Sequence, residues 1–161
     1  MDSSLVYLVQ TDTTVGFSSL NDEKLSFIKQ RPTSKKILHT VDSFKTLTQY
    51  TRVPKNFRKK VRNSKKTTFI YPNSKSFRVI DKNSSFYDFI NKFKILYSTS
   101  ANKTAESFNQ DFATVGADII VEDKRSFYET KASSIVKLSK KNVKDSSIII
   151  SFKQKQTQTK I

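Results

Sequence analysis

One feature constrains this chain more than any other. Short apolar runs rich in β-branched and aromatic residues alternate with segments whose apolar residues recur at helical spacing. Leu5–Val9, Ile37–Val41, Thr67–Tyr71, Phe77–Ile80, Ile95–Tyr97, Ala117–Val121, Ser134–Leu138 and Ser147–Phe152 read as strands. Between them, Asn21 caps a helix through Leu25 and Ile28 that ends before Pro32. Asp42 or Ser43 caps a second short helix holding Phe44 and Leu47, and Pro54 opens a third, with Phe57 and Val61 on one face. Ser84 or Ser85 caps a fourth, in which Phe86, Phe89, Ile90 and Phe93 form a core-facing stripe. A short helix is expected around Glu106 to Phe112. Thr11–Ser19 is polar, carries Gly16 and reads as a functional connection. Such interleaving specifies one mixed α/β domain over a twisted sheet. The domain is expected to span residues 1–152, with a polar tail over 153–161.

Composition removes several function classes. The chain has no cysteine, so disulfides, thiol catalysis and thiolate metal sites are excluded. No apolar run is long enough to span a bilayer. Met1-Asp2-Ser3-Ser4 does not begin a secretory signal, so a cytoplasmic protein is expected. The single histidine, His39, cannot build a multi-histidine metal site and reads as structural or exposed. No phosphate-loop pattern, dinucleotide fingerprint or Ser-His-acid triad is present.

The net charge of +16 at pH 7 points to a polyanionic partner, with nucleotides and RNA foremost. Half of the basic residues lie between Lys29 and Arg78, where Asp42 is the sole acid. The densest stretch, Arg52 to Lys66, belongs to no known nucleic-acid-binding module. It serves RNA, a protein partner, or general electrostatic attraction.

Three polar segments interrupt the apolar elements. Thr11-Asp12-Thr13-Thr14-Val15-Gly16 places hydroxyls and backbone N–H groups near a strand end, which suits a carboxylate or phosphate, or simply makes a threonine-rich turn. Lys29-Gln30-Arg31-Pro32-Thr33-Ser34-Lys35-Lys36 gathers four cations at a helix end, as a triphosphate site or a solvated helix terminus. Ser98-Thr99-Ser100-Ala101-Asn102 follows an apolar strand and presents hydroxyls and an amide to a nucleotide, or caps a turn. Arg78 is a cation inside the apolar run Phe77–Ile80, facing a pocket or an exposed sheet face. An enzyme built from these parts works by positioning and charge stabilisation.

In this order and spacing the segments resemble the YrdC-like threonylcarbamoyl-adenylate synthase family. The likeness rests on Gln10-Thr11-Asp12-Thr13-Thr14-Val15-Gly16-Phe17, on Lys29-Gln30-Arg31-Pro32 with Lys35, on Arg78, on Ser100-Ala101-Asn102, and on Ser133-Ser134-Ile135-Val136. It covers roughly residues 5 to 138. It implies an open, twisted α/β sheet with flanking helices and a concave basic cleft. The implied activity is a nucleotidyltransferase-type condensation of L-threonine, bicarbonate and ATP, with Mg2+, into threonylcarbamoyl-AMP and pyrophosphate. A tRNA-modifying transferase would then carry the group to adenosine-37 of tRNA.

The resemblance also implies roles. Thr11 and Thr13 would line the threonine side, and Arg78 would hold anionic groups. Lys29 and Arg31 would act at the reacting anions with Lys35 beside them, while Ser100, Asn102 and Ser134 would contact nucleotide and phosphates. No resident metal ligand is implied. Departures from the family pattern are Val15 for a tyrosine, Ile80 for a proline, Lys137 for an aspartate, and missing glycines before Thr67-Thr68 and near Thr104-Ala105. They describe either a diverged, shortened synthase or a YrdC-like RNA- or nucleotide-binding protein with little or no synthase activity.

Overall fold

The structure is a computed structural model that describes residues 1–139 and 150–152. Its centre is a mixed sheet in the order β7-β1-β2-β6-β3-β5-β4-β8-β9. The strands are β1 (Tyr7–Gln10), β2 (Val15–Ser19), β3 (Leu38–Val41), β4 (Thr67–Ile70), β5 (Ser76–Val79), β6 (Ile95–Ser100), β7 (Ile119–Val121), β8 (Ser134–Lys137) and β9 (Ile150–Phe152). Five helices flank it: α1 (Asp22–Ile28), α2 (Phe44–Tyr50), α3 (Arg58–Asn63), α4 (Phe86–Phe93) and α5 (Gln110–Gly116). The mixed α/β class expected from the alternation is the class observed.

The caps follow the local chemistry. Asn21 accepts from the Lys24 N–H at the start of α1, and the Ser43 hydroxyl accepts from the Thr46 N–H at the start of α2. Asp42 supports the second cap by accepting from the Ser43 and Thr46 hydroxyls. Neither Ser84 nor Ser85 caps α4 through its own hydroxyl to the third helical N–H, although the Ser84 hydroxyl accepts from Phe86 N at 3.3 Å.

Three expectations change. Val15–Ser19 is not a connection but a strand buried along its whole length. Its hydroxyls concealed this, because Ser18 and Ser19 have the pattern of a loop yet are buried, Ser18 between β1 and β6 and Ser19 paired with β6. The third helix splits into a 3-10 turn, Lys55–Phe57, and α3. The helix expected around Glu106–Phe112 forms further along, as α5, because the Asn109 side chain caps it by accepting from the Phe112 N–H. Of the strand expected at Ser147–Phe152, the first three residues lie outside the described residues, as does 153–161.

Side chains alternate between the two sheet faces. On one face Val41, Leu47, Val61, Phe69, Phe77 and Val136 pack beneath α2 and α3, and Leu8, Phe17, Leu25 and Ala113 pack beneath α1 and α5. His39 lies on this face between the Phe77 and Tyr97 rings, at centroid distances of 4.7 and 4.3 Å. Burial pushes its imidazole below the usual histidine range. On the other face, among the described residues, only one helix packs: α4 buries Phe86, Phe89 and Ile90 against Tyr7, Val9, Ile80 and Leu96. The rest of that face carries mostly polar side chains.

The two glycines do not serve left-handed turns. Positive φ falls instead on Gln30, Lys66, Ser74, Lys94 and Ala105. Gly16 sits where a Cβ would lie 2.9 Å from the Thr99 carbonyl oxygen, so it permits close approach of β2 and β6.

Candidate functional site

The uncovered part of the second face carries a cavity of about 300 Å3. Register explains its lining. Gly16 pairs with Ser100, Leu38 with Ser98, Ile70 with Ser76, and Thr68 with Ile135, so all of these share the face that carries Arg78. Thr11, Thr13 and Thr14 from the β1–β2 turn close one side, Arg31 and Lys36 close a second, and Ser133 closes a third.

Arg78 is the deepest cation, 4% exposed. Its guanidinium donates to the Asp12 carboxylate from Nε at 3.1 Å and lies 2.9 Å from it through a second nitrogen. Asp12 is equally buried, at 3% side-chain exposure. A third Arg78 nitrogen is 3.5 Å from the Thr68 hydroxyl, which is 2.8 Å from the Ser133 hydroxyl. A polar chain therefore runs from the turn after β1, through β5 and β4, to the start of β8.

The Thr11 hydroxyl is already occupied. It donates to the Thr14 carbonyl and accepts from the Thr13 and Thr14 N–H groups at 3.2 Å each, which fixes the turn. Thr13 touches it through a 3.3 Å hydroxyl contact and retains hydrogen-bonding capacity toward the cavity.

The Lys29–Lys35 segment divides its cations. Helix α1 ends with Gln30 in the left-handed conformation, and the Arg31 N–H returns to the Ser26 carbonyl at 3.1 Å. This reversal separates neighbouring side chains. Lys29 turns inward, is 6% exposed, and donates to the Ser100 carbonyl at 2.9 Å and to the Asn102 carbonyl and side-chain oxygen. Burial pulls its ammonium down to about 8, and the Arg31 and Lys35 charges act in the same direction. Arg31 lines the cavity with its Nε buried and unpartnered among the described residues, and burial lowers its guanidinium from the ordinary value.

The structure therefore brings together Thr11, Thr13, Arg31, Arg78 and Ser100. Lys29 and Asn102 lie behind the lining, where they fix the end of β6; the Asn102 amide donates to the Glu106 carbonyl. Lys35 is exposed outside the cavity. Ser134 is exposed as well, and its place in the lining belongs to Ser133. The one-residue difference follows from strand alternation: Ile135 faces the cavity while Val136 belongs to the opposite core. Asp12, Lys36 and Ser98 also belong to the site; they stand in the three polar segments but received no individual role from sequence, and Thr68, a further member, stands in none of them. Thr68 was legible in part, since Ile70 and the aromatic Phe69 on the other face set its parity.

Chemically, Arg31, Lys36 and Arg78 surround a space edged by hydroxyls, with one carboxylate beneath it. This suits a small anion bearing further polar groups. His39 is on the other face, so the site holds no imidazole base. Among the described residues no cluster of three His, Asp or Glu exists to hold a metal ion. Asp12 is engaged by Arg78, so a resident divalent cation does not fit the residues present.

No protein-family model and no curated protein matches the chain. Solved structures do. P. abyssi Sua5 complexed with L-threonine superposes with a TM-score of 0.67 at 12% identity, over 84% of this chain and 47% of that one. E. coli YciO superposes with a TM-score of 0.63 at 15% identity, covering 84% and 79%. The chain has the Sua5 and YciO fold. Full-length HypF in a phosphate- and nucleotide-bound form also contains it, with a TM-score of 0.63 at 14% identity over 84% of this chain and 25% of that one. The chain thus spans about half the length of P. abyssi Sua5. On this sheet the face that carries the cavity is where Arg78 and the hydroxyls converge. Among the described residues no helix is long and apolar enough to cross a membrane.

Proposed function

We propose that the chain is an L-threonylcarbamoyladenylate synthase acting in tRNA adenosine-37 threonylcarbamoylation in the cytoplasm. One observation carries the reading: a buried arginine, two further cations and a ring of hydroxyls converge on the open face of a sheet shared with an L-threonine-binding Sua5. Arg78 and Thr13 are suited to the threonine carboxylate and hydroxyl. The threonine amine takes up carbon from bicarbonate with loss of water, giving an N-carboxylate. That carboxylate attacks the α-phosphorus of ATP and pyrophosphate leaves. Arg31 and Lys36 stabilise the charge on the departing pyrophosphate, and Lys35 adds to the field from outside.

Ser98, Ser100 and Ser133 supply hydroxyls for nucleotide or phosphate, with Ser134 at the rim. Lys29 enters as a positioning residue, holding Ser100 and Asn102 through the end of β6. ATP brings Mg2+ on its own phosphates, and no step relies on a protein-held ion.

The test is direct. Folded protein with ATP, magnesium, threonine and bicarbonate should release pyrophosphate and yield threonylcarbamoyl-AMP by mass spectrometry. Absence of both, with and without the tRNA-modifying transferase, would end this reading. The second reading is nucleotide or RNA binding without synthesis. It is favoured by the Arg78–Asp12 pairing, which leaves the deepest cation already neutralised. Threonine-independent nucleotide binding is its signature.

A further inference from the structure

The cavity leaves most of the basic residues unused. Helix α3 and the 3-10 turn before it carry Lys55, Arg58, Lys59, Lys60 and Arg62, all exposed. None of these has a carboxylate within ion-pairing distance among the described residues. Val61, the one buried residue of α3, joins the core formed by Leu47, Phe69 and Phe77. The helix therefore rides on the sheet face opposite the cavity, with its cations exposed and Arg58 anchored through an Nε–H bond to the Val53 carbonyl at 3.3 Å.

Two clefts flank it. One, about 390 Å3, is lined by Tyr50, Arg52 and Arg58 with the Thr48 and Thr51 hydroxyls. The other, about 510 Å3, is lined by Lys45, Arg62, Lys65 and Lys82. Its two carboxylates, Asp42 and Asp81, are paired with Lys94 and Lys65. The Arg62 guanidinium is fixed 4.6 Å above the Phe44 ring, so one cation of the second cleft is already oriented. The Tyr50 ring, at the edge of the first cleft, is 49% exposed.

We infer that α3 and its flanking clefts form a track for a single-stranded nucleic acid, with phosphates along the helix and a base stacked on Tyr50. Exposed cations without carboxylate partners attract a phosphodiester backbone through counterion release, and an exposed ring offers any base a stacking surface. A membrane surface fits less well. Interfacial helices need exposed apolar anchors, and among the described residues Tyr50 is the only large exposed apolar side chain bordering the track. An acidic protein fits less well too, because a protein interface centres on exposed apolar anchors, and Tyr50 is the only one bordering the track among the described residues. The track lies across the sheet from the cavity and stands independently of the synthase reading.

Fluorescence anisotropy of labelled oligo(U) and oligo(dT) across a salt series tests this. Both should bind, with affinity falling steeply as salt rises. Lys55→Gln/Lys59→Gln/Lys60→Gln removes three exposed charges and should flatten the log–log salt slope by about 2. Tyr50→Ala should weaken binding about tenfold, in the range of one stacked base. Arg31→Ala, in the cavity, should leave oligonucleotide affinity unchanged. Circular dichroism melts establish that each variant is folded. An unchanged salt slope in the folded triple variant overturns the inference. So does loss of binding in Arg31→Ala, or tighter capture of polyglutamate or phosphatidylserine vesicles than of oligonucleotide.

Discussion

Replacing Asp12 by asparagine should expose the central tension of the cavity. The Asp12–Arg78 pair has contacts of 2.9 and 3.1 Å, and both side chains are at most 4% exposed. Two unit charges about 4 Å apart at an effective dielectric near 20 attract by about 4 kcal/mol. Removing one partner of a buried pair leaves the other desolvated and typically costs about 3–5 kcal/mol. Asparagine retains a hydrogen-bond acceptor, so the lower end, about 3 kcal/mol, is expected. With a urea m-value of about 2 kcal/mol per molar, the unfolding midpoint should fall by about 1.5 M.

The same substitution frees the guanidinium for an added anion. Pyrophosphate at a hundredfold excess over its dissociation constant should return about 2.7 kcal/mol. Urea unfolding followed by circular dichroism, with and without pyrophosphate, measures both effects. If Asp12→Asn unfolds at the wild-type midpoint, the buried pair does not contribute as its geometry requires. If the variant is destabilised but pyrophosphate rescues it no better than wild type, Arg78 does not face the ligand.

Two other outcomes follow from local geometry. Gly16→Ala drives a Cβ to 2.9 Å from the Thr99 carbonyl oxygen, so overpacking between β2 and β6 should cost about 1–3 kcal/mol; an unchanged melting temperature in differential scanning fluorimetry would contradict the strand spacing. Lys29 titrates near 8 in the folded chain against an ordinary 10.5. The unfolded chain therefore holds more protons between those values, and this residue makes stability rise with pH across that window. Below pH 8 both states are protonated and the burial penalty is felt in full. Lys29→Met should lose the rise relative to wild type in urea melts at stepped pH, and parallel profiles would place the Lys29 ammonium in solvent.

The extent to which sequence anticipated the site depends on the range of each interaction. Thr11, Thr13, Arg31, Arg78 and Ser100 line one cavity, although their local patterns had also allowed a turn, a solvated helix end or an exposed sheet face. Lys29 has the same basic, helix-end context as Arg31, yet the left-handed Gln30 turns it to the end of β6. Ser133 and Ser134 are chemically identical neighbours, and only the pairing of β8 with β4 decides which hydroxyl enters the cavity. Asp12 was visible in the motif, but its partner is 66 residues away.

Sequence by itself determined the alternation of strands and helices, the Asn21 cap, a cap at Asp42 or Ser43, the α4 stripe and the concentration of cations between Lys29 and Arg78. These are set by neighbours within one or two turns, so local periodicity reveals them. Tertiary structure alone decided that β2 is a strand, that α4 packs on only part of one sheet face, and that the basic block divides between opposite faces. Strand order joins residues far apart in the chain, and a shift of one residue moves a side chain to the other face of the sheet. Composition cannot carry that information, because both registers contain the same amino acids.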